Sequence, residues 1–486
     1  MDVQRGNHVP ASSIFHFLAH RPEVNMFESA RRERPVEEGV SRMLAGRKYR
    51  LEFDFGQRAF AERLGGICRA VWNTGLEQRR EYRRRGQWIN YAEQCRQLAD
   101  AKKDPYCDWL ADAPAQVIQQ TLKDLDQACR KHGTWTVHWK SKAKWRPSFR
   151  FPTAKHLPVE RINRKWGRVF LPKFGWTRFR MSRRLGGSVK SATVSRDGKH
   201  WFISFLLDDG IAEREEHACP QWVGVDRGVV TAAVTSDGEF FDRRHAGSDG
   251  VSSRELPRET KQDREDDLGY LTPGEAQRYL RLQRRLARTK KGSKRRKTVM
   301  AAMSEIMRRV RWRRADFNAQ AAHRLTRMYG HVVIEDLNTK GMSAAVKPKL
   351  DPDRSGRFLR NGAAAKSGLN KAILDKGWYG LEVALRSKAR YTGSVIHKIN
   401  PAYTSQTCPE PACGKVEEKS RKSQAIFSCT SCGHTEHADI VGARNIKSKG
   451  QAAGLVVSGR GDPPGSVKRQ APRSTARAGQ AARAAA

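Results

Sequence analysis

The sequence predicts a multidomain α/β protein, on the basis of three observations. Two short β-branched runs, 222–225 and 331–334, each end in an acidic residue and have the length of a buried strand. A cluster of four cysteines follows the second run. The N-terminal half instead combines helical spacing with short strand-like segments, which indicates a separate architecture. With 486 residues, the chain is long enough for several domains.

The charge of the chain indicates a polyanionic partner. The formal net charge is +42 and the pI about 10.4, and a compact state tolerates that self-repulsion poorly. Nucleic acid is the expected partner; a membrane surface is the weaker alternative, because no long amphipathic helix stands out. No apolar run reaches about 18 residues, so no membrane span is expected. Nine cysteines without a secretory signal indicate a reducing compartment.

The N-terminal half is predicted to contain a small β-barrel, formed by residues 46–56 and 132–215. Apolar residues alternate from Tyr49 to Phe55, which predicts the first strand. Asp197-Gly198 predicts a hairpin turn between two later strands. The later strands are predicted at 168–171, 177–181, 191–195 and 200–207.

A helical module, residues 57–131, is predicted to interrupt this barrel. Apolar residues at helical spacing indicate three helices, and Asp112 is suited to cap the third. Beyond the module, Trp135, Trp139 and Trp145 interleave with basic residues. This pattern suits stacking on RNA or single strands, with a place in the barrel core as the equal alternative for each tryptophan.

The C-terminal half is predicted to be an α/β domain of residues 216–403 and 434–448. A long helical hairpin is expected within it, with basic arms near 281–297 and 303–314. Only Glu305 opposes the positive charge of these arms, which favours a nucleic-acid groove over a merely solvated face. The remaining predictions are a strand at 229–234, a mobile loop at 341–370, a helix at 372–391, a strand at 393–399, a flexible N-terminal extension at 1–45 and a disordered basic tail at 449–486.

Three acidic residues are the candidate catalytic groups. Asp226 and Glu335 end the two strand-like runs, and Asp439 opens a predicted helix. This order is typical of an RNase H-like nuclease, in which three carboxylates hold two Mg²⁺ ions about 3.5–4 Å apart. One ion activates water and the other stabilises the leaving oxygen, and carboxylate oxygens are ligands that Mg²⁺ prefers. Each acid alone is better explained as a capped strand end, so the prediction depends on all three.

The four cysteines predict a structural zinc site. Cys408 and Cys413 form one knuckle, CPx₃CG, and Cys429 and Cys432 form a second, CxxCG. Four thiolates are the closed tetrahedral set of a structural Zn²⁺, which leaves no open position for catalysis. We therefore predict a zinc ribbon at 404–433, nested in the α/β domain next to Asp439.

Together these stretches resemble the TnpB family of transposon-encoded RNA-guided nucleases and the compact type V CRISPR effectors derived from it. The resemblance covers roughly residues 47–447. It implies a wedge β-barrel split by a helical recognition module, followed by a RuvC-like nuclease domain with the nested zinc ribbon. The segments that carry it are 224–228, 334–342, 404–408 and 437–446, and also 69–73, 149–152, 171–175, 282–288 and 366–370.

The resemblance also implies an activity and its partners. Family members bind a guide RNA, recognise a short motif beside the target, open double-stranded DNA and cut it at a single RuvC site. Asp226, Glu335 and Asp439 take the catalytic and Mg²⁺-binding positions. We expect a monomeric protein with a large RNA, acting in the bacterial cytoplasm at the nucleoid.

Seven residues are the candidate nucleic-acid contacts. Asn and Gln side chains can pair with adenine in the major groove, although an ordinary surface amide is the alternative for each. Arg421 lies in the ribbon, where it could stabilise the scissile phosphate. The candidates are Asn73, Gln116, Gln120, Arg284, Arg288, Lys340 and Arg421.

Two other functions stay open at this point. One is an RNA-guided DNA-binding regulator with little or no cleavage, although a pure binder has no need of three acids. The other is a guide-free resolvase or RNase H-type nuclease. The barrel and the helical module exceed what that second role requires.

Overall fold

The structure is a computed structural model. It describes residues 42–212, 214, 216–243, 252–254, 269–352, 356–359, 361–423 and 425–458. The chain divides into two compact units, 1–214 with 274–309, and 215–273 with 310–486. Most of the predicted N-terminal extension and the tail beyond 458 lie outside the described residues.

A seven-stranded antiparallel sheet forms the β part of the first unit. Its order is β2-β6-β7-β1-β5-β4-β3, so β1 lies centrally and pairs with both β5 and β7. Asp197 pairs with His200, which confirms the predicted hairpin turn. Pairing within the described residues leaves β2 and β3 as two edges, so the hydrogen bonds do not close the predicted barrel. The strands are β1 Arg42–Glu52, β2 Ser148–Phe151, β3 Val159–Arg161, β4 Trp166–Leu171, β5 Gly175–Arg180, β6 Ser188–Asp197 and β7 His200–Ala212.

The strand β1 corrects two predictions. It begins at Arg42, so residues 42–45 belong to the sheet rather than to the N-terminal extension. It ends at Glu52, because Asp54 caps the first helix by accepting a hydrogen bond from the backbone of Gln57. Phe55 therefore begins that helix and is 90% exposed, instead of continuing the strand.

Three helices form the predicted helical module of this unit. They are α1 Phe55–Arg84, α2 Tyr91–Ala101 and α3 Ala115–His132. The apolar face of α1, with Leu64, Val71 and Leu76, is buried in the common core. Asp112 does not cap α3, since Pro114 precedes that helix and no side chain caps it.

Two of the three tryptophans beyond the module are exposed, whereas Trp145 is partly buried and packs against the core. Trp135 is 57% exposed and Trp139 is 48% exposed. The guanidinium of Arg84 lies 5.6 Å from the ring of Trp135, a cation–π arrangement. This exposure favours the stacking interpretation for these two residues over a place in the core.

The predicted basic hairpin is present, with a shifted boundary. Its helices are α4 Pro273–Ala287 and α5 Lys294–Met328. The cations 294–297 lie on the second arm, because a turn at 288–293 separates the helices. Residues 274–309 group with the first unit, whereas the prediction placed them within 216–403.

A six-stranded sheet forms the centre of the second unit, in the order β11-β10-β9-β8-β12-β13. The strands β8, β12 and β13 run parallel, and β9, β10 and β11 add antiparallel pairs. The predicted strand at 229–234 is shorter, because 229–232 form a bend. The strands are β8 Trp222–Asp226, β9 Ala233–Thr235, β10 Phe240–Phe241, β11 Ser252–Ser253, β12 His331–Glu335 and β13 Val395–Ile399.

Four helices complete the second unit and correct three boundaries. They are α6 Thr339–Met342, α7 Ala363–Lys376, α8 Trp378–Thr392 and α9 Ala438–Ser458. Gly377, at φ +72°, separates α7 from α8, so the single helix predicted at 372–391 is two helices. Because α7 begins at Ala363, the predicted loop is partly helical. Residues 449–458 continue α9 and do not belong to a disordered tail.

The last helix lies directly on the parallel strands. A Cβ added at Gly224 would lie 1.9 Å from the backbone oxygen of Ala443, so only glycine permits this approach. The four-cysteine segment precedes this helix and adds a two-stranded sheet, β14 Ile426–Ser428 with β15 Thr435–His437. Among the described residues, no helix is long and apolar enough to cross a membrane.

Candidate active site and metal centre

Two of the predicted acids lie side by side at the ends of parallel strands. Ile334 of β12 pairs with Val225 of β8, so Glu335 and Asp226 are the next residues on neighbouring strands. Glu335 is 8% exposed, and Asp226 is partly buried. The parallel register therefore places two carboxylates at one edge of the sheet.

The third acid reaches this edge from the start of α9. Asp439 is the second residue of that helix, and its Oδ2 lies 3.8 Å from the position of a Cβ added at Gly228. A Cβ at Gly442, one turn further on, would lie 2.8 Å from Oδ2 of Asp226. The two glycines thus allow the helix start and the strand end to meet.

The electrostatics of the site favour a bound cation. Burial raises the pKa of Asp226 well above its usual range, and the neighbouring charges of Asp439 and Glu335 raise it further. Burial also raises the pKa of Glu335, while the cation of Arg227 opposes that rise. Converging carboxylates that resist ionisation are stabilised by a divalent cation, which supplies the missing positive charge.

Arg421 is the predicted contact that lies at this site. Its Nη2 is 3.8 Å from Oδ1 of Asp439, and its positive charge partly opposes the rise in the pKa of Asp226. The structure therefore brings Arg421 and the three acids together, although they are far apart in the sequence.

The four predicted cysteines form a compact cluster. Sγ of Cys408 lies 3.6 Å from Sγ of Cys432, and Sγ of Cys413 lies 3.7 Å from that of Cys429. Tetrahedral zinc with metal–sulfur distances of about 2.3 Å places its sulfurs roughly 3.8 Å apart, so the cluster fits that ion. Backbone amides of Cys432 and Ser431 lower the pKa of Cys429 to about 6, whereas burial raises the pKa of Cys408 to about 12, so the sulfur spacing carries the assignment.

This cluster is the tightest potential metal-binding group in the described part of the chain. It is the one group of at least three Cys, His, Asp or Glu residues whose ligand atoms all lie within 4.8 Å of one another. His434, a nearby imidazole, instead faces Glu410 at 3.2 Å and Glu436 at 3.3 Å. His434 is therefore paired with carboxylates, and the four thiolates already complete a tetrahedral zinc site.

Two residues that the sequence prediction missed connect the cysteine segment to the acids. Thr404 donates a hydrogen bond from Oγ1 to Oε1 of Glu335 at 3.3 Å. Asn445 of α9 donates to the backbone oxygens of Thr404 at 2.8 Å and Thr407 at 2.7 Å. Both residues lie inside segments that carry the family resemblance, and that was the available signal.

The amide candidates for nucleic-acid contact are not grouped at this site. Nδ2 of Asn73 donates to the backbone oxygen of Lys140 at 3.2 Å, and its Oδ1 accepts from the Lys140 backbone N–H at 2.8 Å. This amide holds a loop in place, which contradicts a base-reading role in this conformation. Gln120 donates to Asp124 at 2.7 Å, and Gln116 is partly exposed on the same helix, α3.

The basic candidates are accessible. Arg284 on α4, Arg288 in the following turn and Lys340 on α6 are all exposed. Their exposure is compatible with phosphate contacts, and their roles stay predictions.

The second unit combines a mixed sheet, acids at its strand ends and a four-cysteine segment before its last helix. Comparison with known proteins identifies the family to which this chain belongs. Three family models match the chain. Their descriptions are "Cas12f1-like, TNB domain" over 378–446, "Probable transposase" over 274–346 and "Helix-turn-helix domain" over 43–87. The last range contains β1 and the single long helix α1 in this structure.

The chain is similar over most of its length to proteins named for RNA-guided cleavage. InsQ of Escherichia coli (strain K12), whose name proposes an RNA-guided DNA endonuclease, is 32% identical over 85% of this chain and 95% of its own. A protein of Streptomyces pristinaespiralis with the same proposed activity is 27% identical over 85% and 90%. A Cas12f1 endodeoxyribonuclease of Sulfoacidibacillus thermotolerans is 44% identical over 14% and 16%.

This chain therefore belongs to the TnpB-like family of RNA-guided nucleases, as the full-length identity to InsQ shows. Among solved structures, a Cas12f1–sgRNA–target DNA complex matches with a TM-score of 0.47 and 14% identity, over 81% of this chain and 83% of that chain. The family membership depends on the sequence identity alone.

Proposed function

We propose that this protein is an RNA-guided DNA endonuclease that cuts through Asp226, Glu335 and Asp439. The membership of the TnpB-like family supports guidance by RNA and cleavage of DNA. The observation that carries the catalytic assignment is the pairing of Val225 with Ile334, which places two carboxylates on adjacent strand ends. The start of α9 adds the third.

The three carboxylates would hold two Mg²⁺ ions, which supply an activated water and stabilise the leaving oxygen when bound. The chain itself positions the acids and excludes water from Glu335, which is nearly buried. Arg421 lies at the rim, where its guanidinium is placed to contact a phosphate oxygen. Burial favours protonation of Asp226, and Mg²⁺ held by the three carboxylates would offset that effect.

The domain assignments are part of the proposal. We assign the α/β part of the second unit, residues 215–273, 310–403 and 434–458, to a RuvC-like nuclease domain, and the seven-stranded sheet to a wedge domain. The helices α1 to α3 serve as the recognition module. The four cysteines hold one structural Zn²⁺, as their sulfur spacing supports. The bacterial cytoplasm, at the nucleoid, is the proposed location.

One plasmid assay tests the proposal. The protein is expressed with its flanking genomic DNA, the complex is purified, and bound RNA is sequenced. The complex then receives Mg²⁺ and a plasmid library with randomised bases beside a guide-matched target. Wild type and Asp112→Ala, which removes an exposed acid far from the site in sequence, should linearise plasmids with one enriched flank; Asp226→Ala should not.

Other results would change the assignment. Bound RNA and target binding without cleavage by wild type would indicate a DNA-binding regulator. Absence of bound RNA, with cleavage of branched DNA or RNA–DNA hybrids, would indicate a guide-free nuclease.

A further inference from the structure

The backbone ladder between the strands that carry Asp226 and Glu335 has its last residue pair just before these acids. In this part of the described chain, backbone pairing of β8 with β12 runs from Trp222–His331 to Val225–Ile334 and ends there. Pairing of β12 with β13 continues to Glu335–Ile399. Asp226 and Glu335 therefore do not form a backbone pair of their own in the ladder between β8 and β12.

The side chain of Arg227 connects the two strands just beyond the last pair of their ladder. Its Nη2 donates a hydrogen bond to the backbone oxygen of Glu335, across 108 residues of sequence. That oxygen belongs to the first position of β12 beyond the ladder with β8. Arg227 thus adds a side-chain hydrogen bond between the two strands, just beyond the last backbone pair of their ladder.

A second set of charges orients Arg227. Its Nη1 lies 3.8 Å from Oε2 of Glu382 on α8. Glu382 also pairs with Lys398 of β13 at 3.2 Å and with Arg386 at 3.1 Å. Lys398 continues the network to Asp336, at 2.5 Å. These ion pairs therefore connect α8 with residues in, or directly after, the three parallel strands β8, β12 and β13.

Stability alone does not explain why Arg227 is buried. Arg227 is 3% exposed, and burying a guanidinium carries a desolvation cost that apolar residues of similar size avoid. Its Nε is buried and has no hydrogen-bond partner among the described residues. A buried cation with an unsatisfied donor, placed where a strand ladder ends, has a better explanation in the geometry of the site.

We infer that Arg227 is a positioning residue that sets the separation of the Asp226 and Glu335 carboxylates, with Glu382 as its orienting partner. This inference rests on the proposed function of the two acids. It assigns no direct contact with substrate to Arg227. Its role is to hold the end of β12 against the end of β8, which keeps the two acids within the tolerance that catalysis requires.

The test compares four variants of the full-length protein in complex with its RNA: Arg227→Met, Arg227→Lys, Glu382→Gln and the double variant Arg227→Met/Glu382→Gln. Arg79→Met is the matched control. Arg79 is also 3% exposed and pairs with Asp126 at 2.9 Å, in the other unit of the chain. Cleavage rate at saturating target, target affinity, thermal stability and amide hydrogen exchange are measured for each.

We expect Arg227→Met to cut about tenfold to 100-fold more slowly, with target affinity within about twofold of wild type. Arg227→Lys should recover part of the rate, because its ammonium can still donate to the Glu335 oxygen. The double variant should cut about as slowly as Arg227→Met alone, because Glu382 acts on the two acids through Arg227 and has no further effect once the guanidinium is absent. Arg79→Met should lose stability but keep its rate per folded molecule.

Two results would overturn the inference. One is recovery of rate together with stability in the double variant, which would make Arg227 a purely structural residue. The other is unchanged hydrogen exchange at 331–338 in Arg227→Met, where we expect faster exchange of the β12 end. The exchange measurement needs no cleavage. If wild type fails to cut, the proposed function is wrong, while exchange still decides the positioning role.

Discussion

The close contact between Gly442 of α9 and the side chain of Asp226 predicts the effect of adding one methyl group at position 442. Gly442→Ala places a Cβ 2.8 Å from Oδ2 of Asp226, whereas ordinary van der Waals contact begins near 3.4 Å. Because the backbone of Gly224 already touches α9, the helix has no room to shift, and the carboxylate must move by about 0.6 Å. Catalytic groups tolerate roughly 0.5 Å of displacement, and a 1 Å misplacement can cost about 100-fold.

We therefore expect Gly442→Ala to cut about tenfold to 100-fold more slowly than wild type, equivalent to about 1.4–2.7 kcal/mol of transition-state stabilisation. Its stability should be equal or higher, since alanine is favoured over glycine inside a helix by up to about 1 kcal/mol. The assay is single-turnover cleavage of a guide-matched target in saturating Mg²⁺, with thermal unfolding measured in parallel.

Gly66→Ala is the control for this substitution. Gly66 lies inside α1, and a Cβ there would meet nothing within 4 Å, so rate and fold should both be kept. A Gly442→Ala protein that is stably folded and cuts at the wild-type rate would refute the reasoning. It would mean that the position of Asp226 does not limit the reaction.

Three further predictions follow from the same structure. Asp226→Asn should abolish cleavage and raise the melting temperature in the absence of Mg²⁺. The raised pKa of Asp226 means that wild-type stability falls as pH rises from the ordinary aspartate value through the folded one, and asparagine removes that loss. Unfolding in Mg²⁺-free buffer from about pH 4 to 8, without a chelator that would remove zinc, measures this difference, and equal pH profiles would contradict it. Cys408→Ser should lower the bound zinc from about one ion per chain and destabilise the second unit. Cys95→Ser, in α2, is the control and should do neither. Metal analysis and thermal unfolding measure both effects, and full zinc content in both variants would exclude the cluster as the zinc site. Asn73→Ala should cost about 1–3 kcal/mol of unfolding free energy through its two hydrogen bonds to Lys140 and leave the flanking-motif preference unchanged. Denaturant unfolding and the plasmid library test this, with Gln127→Ala, an exposed amide on α3, as control. A changed motif would support a base-reading role for Asn73.

The features that the sequence predicted well are those encoded within short windows. The cysteine knuckles span a few residues each, and their sulfurs meet as predicted. The strand-like runs at 222–225 and 331–334 became β8 and β12 because β-branched residues and burial agree locally. Two of the boundaries that failed, at Phe55 and past Ser448, are places where a cap or a packing partner outside the window decides the end of an element.

The sequence by itself determined which residue types could form a three-acid site and a four-thiolate centre, because spacing and residue chemistry are local properties. Only the tertiary structure decided that Asp226 and Glu335 follow paired residues on neighbouring strands, that Asn73 holds a loop, and that Arg227 connects the ends of those two strands. These contacts join residues that are tens to more than a hundred positions apart. Their geometry depends on close packing around glycines and buried charges, which no local pattern specifies.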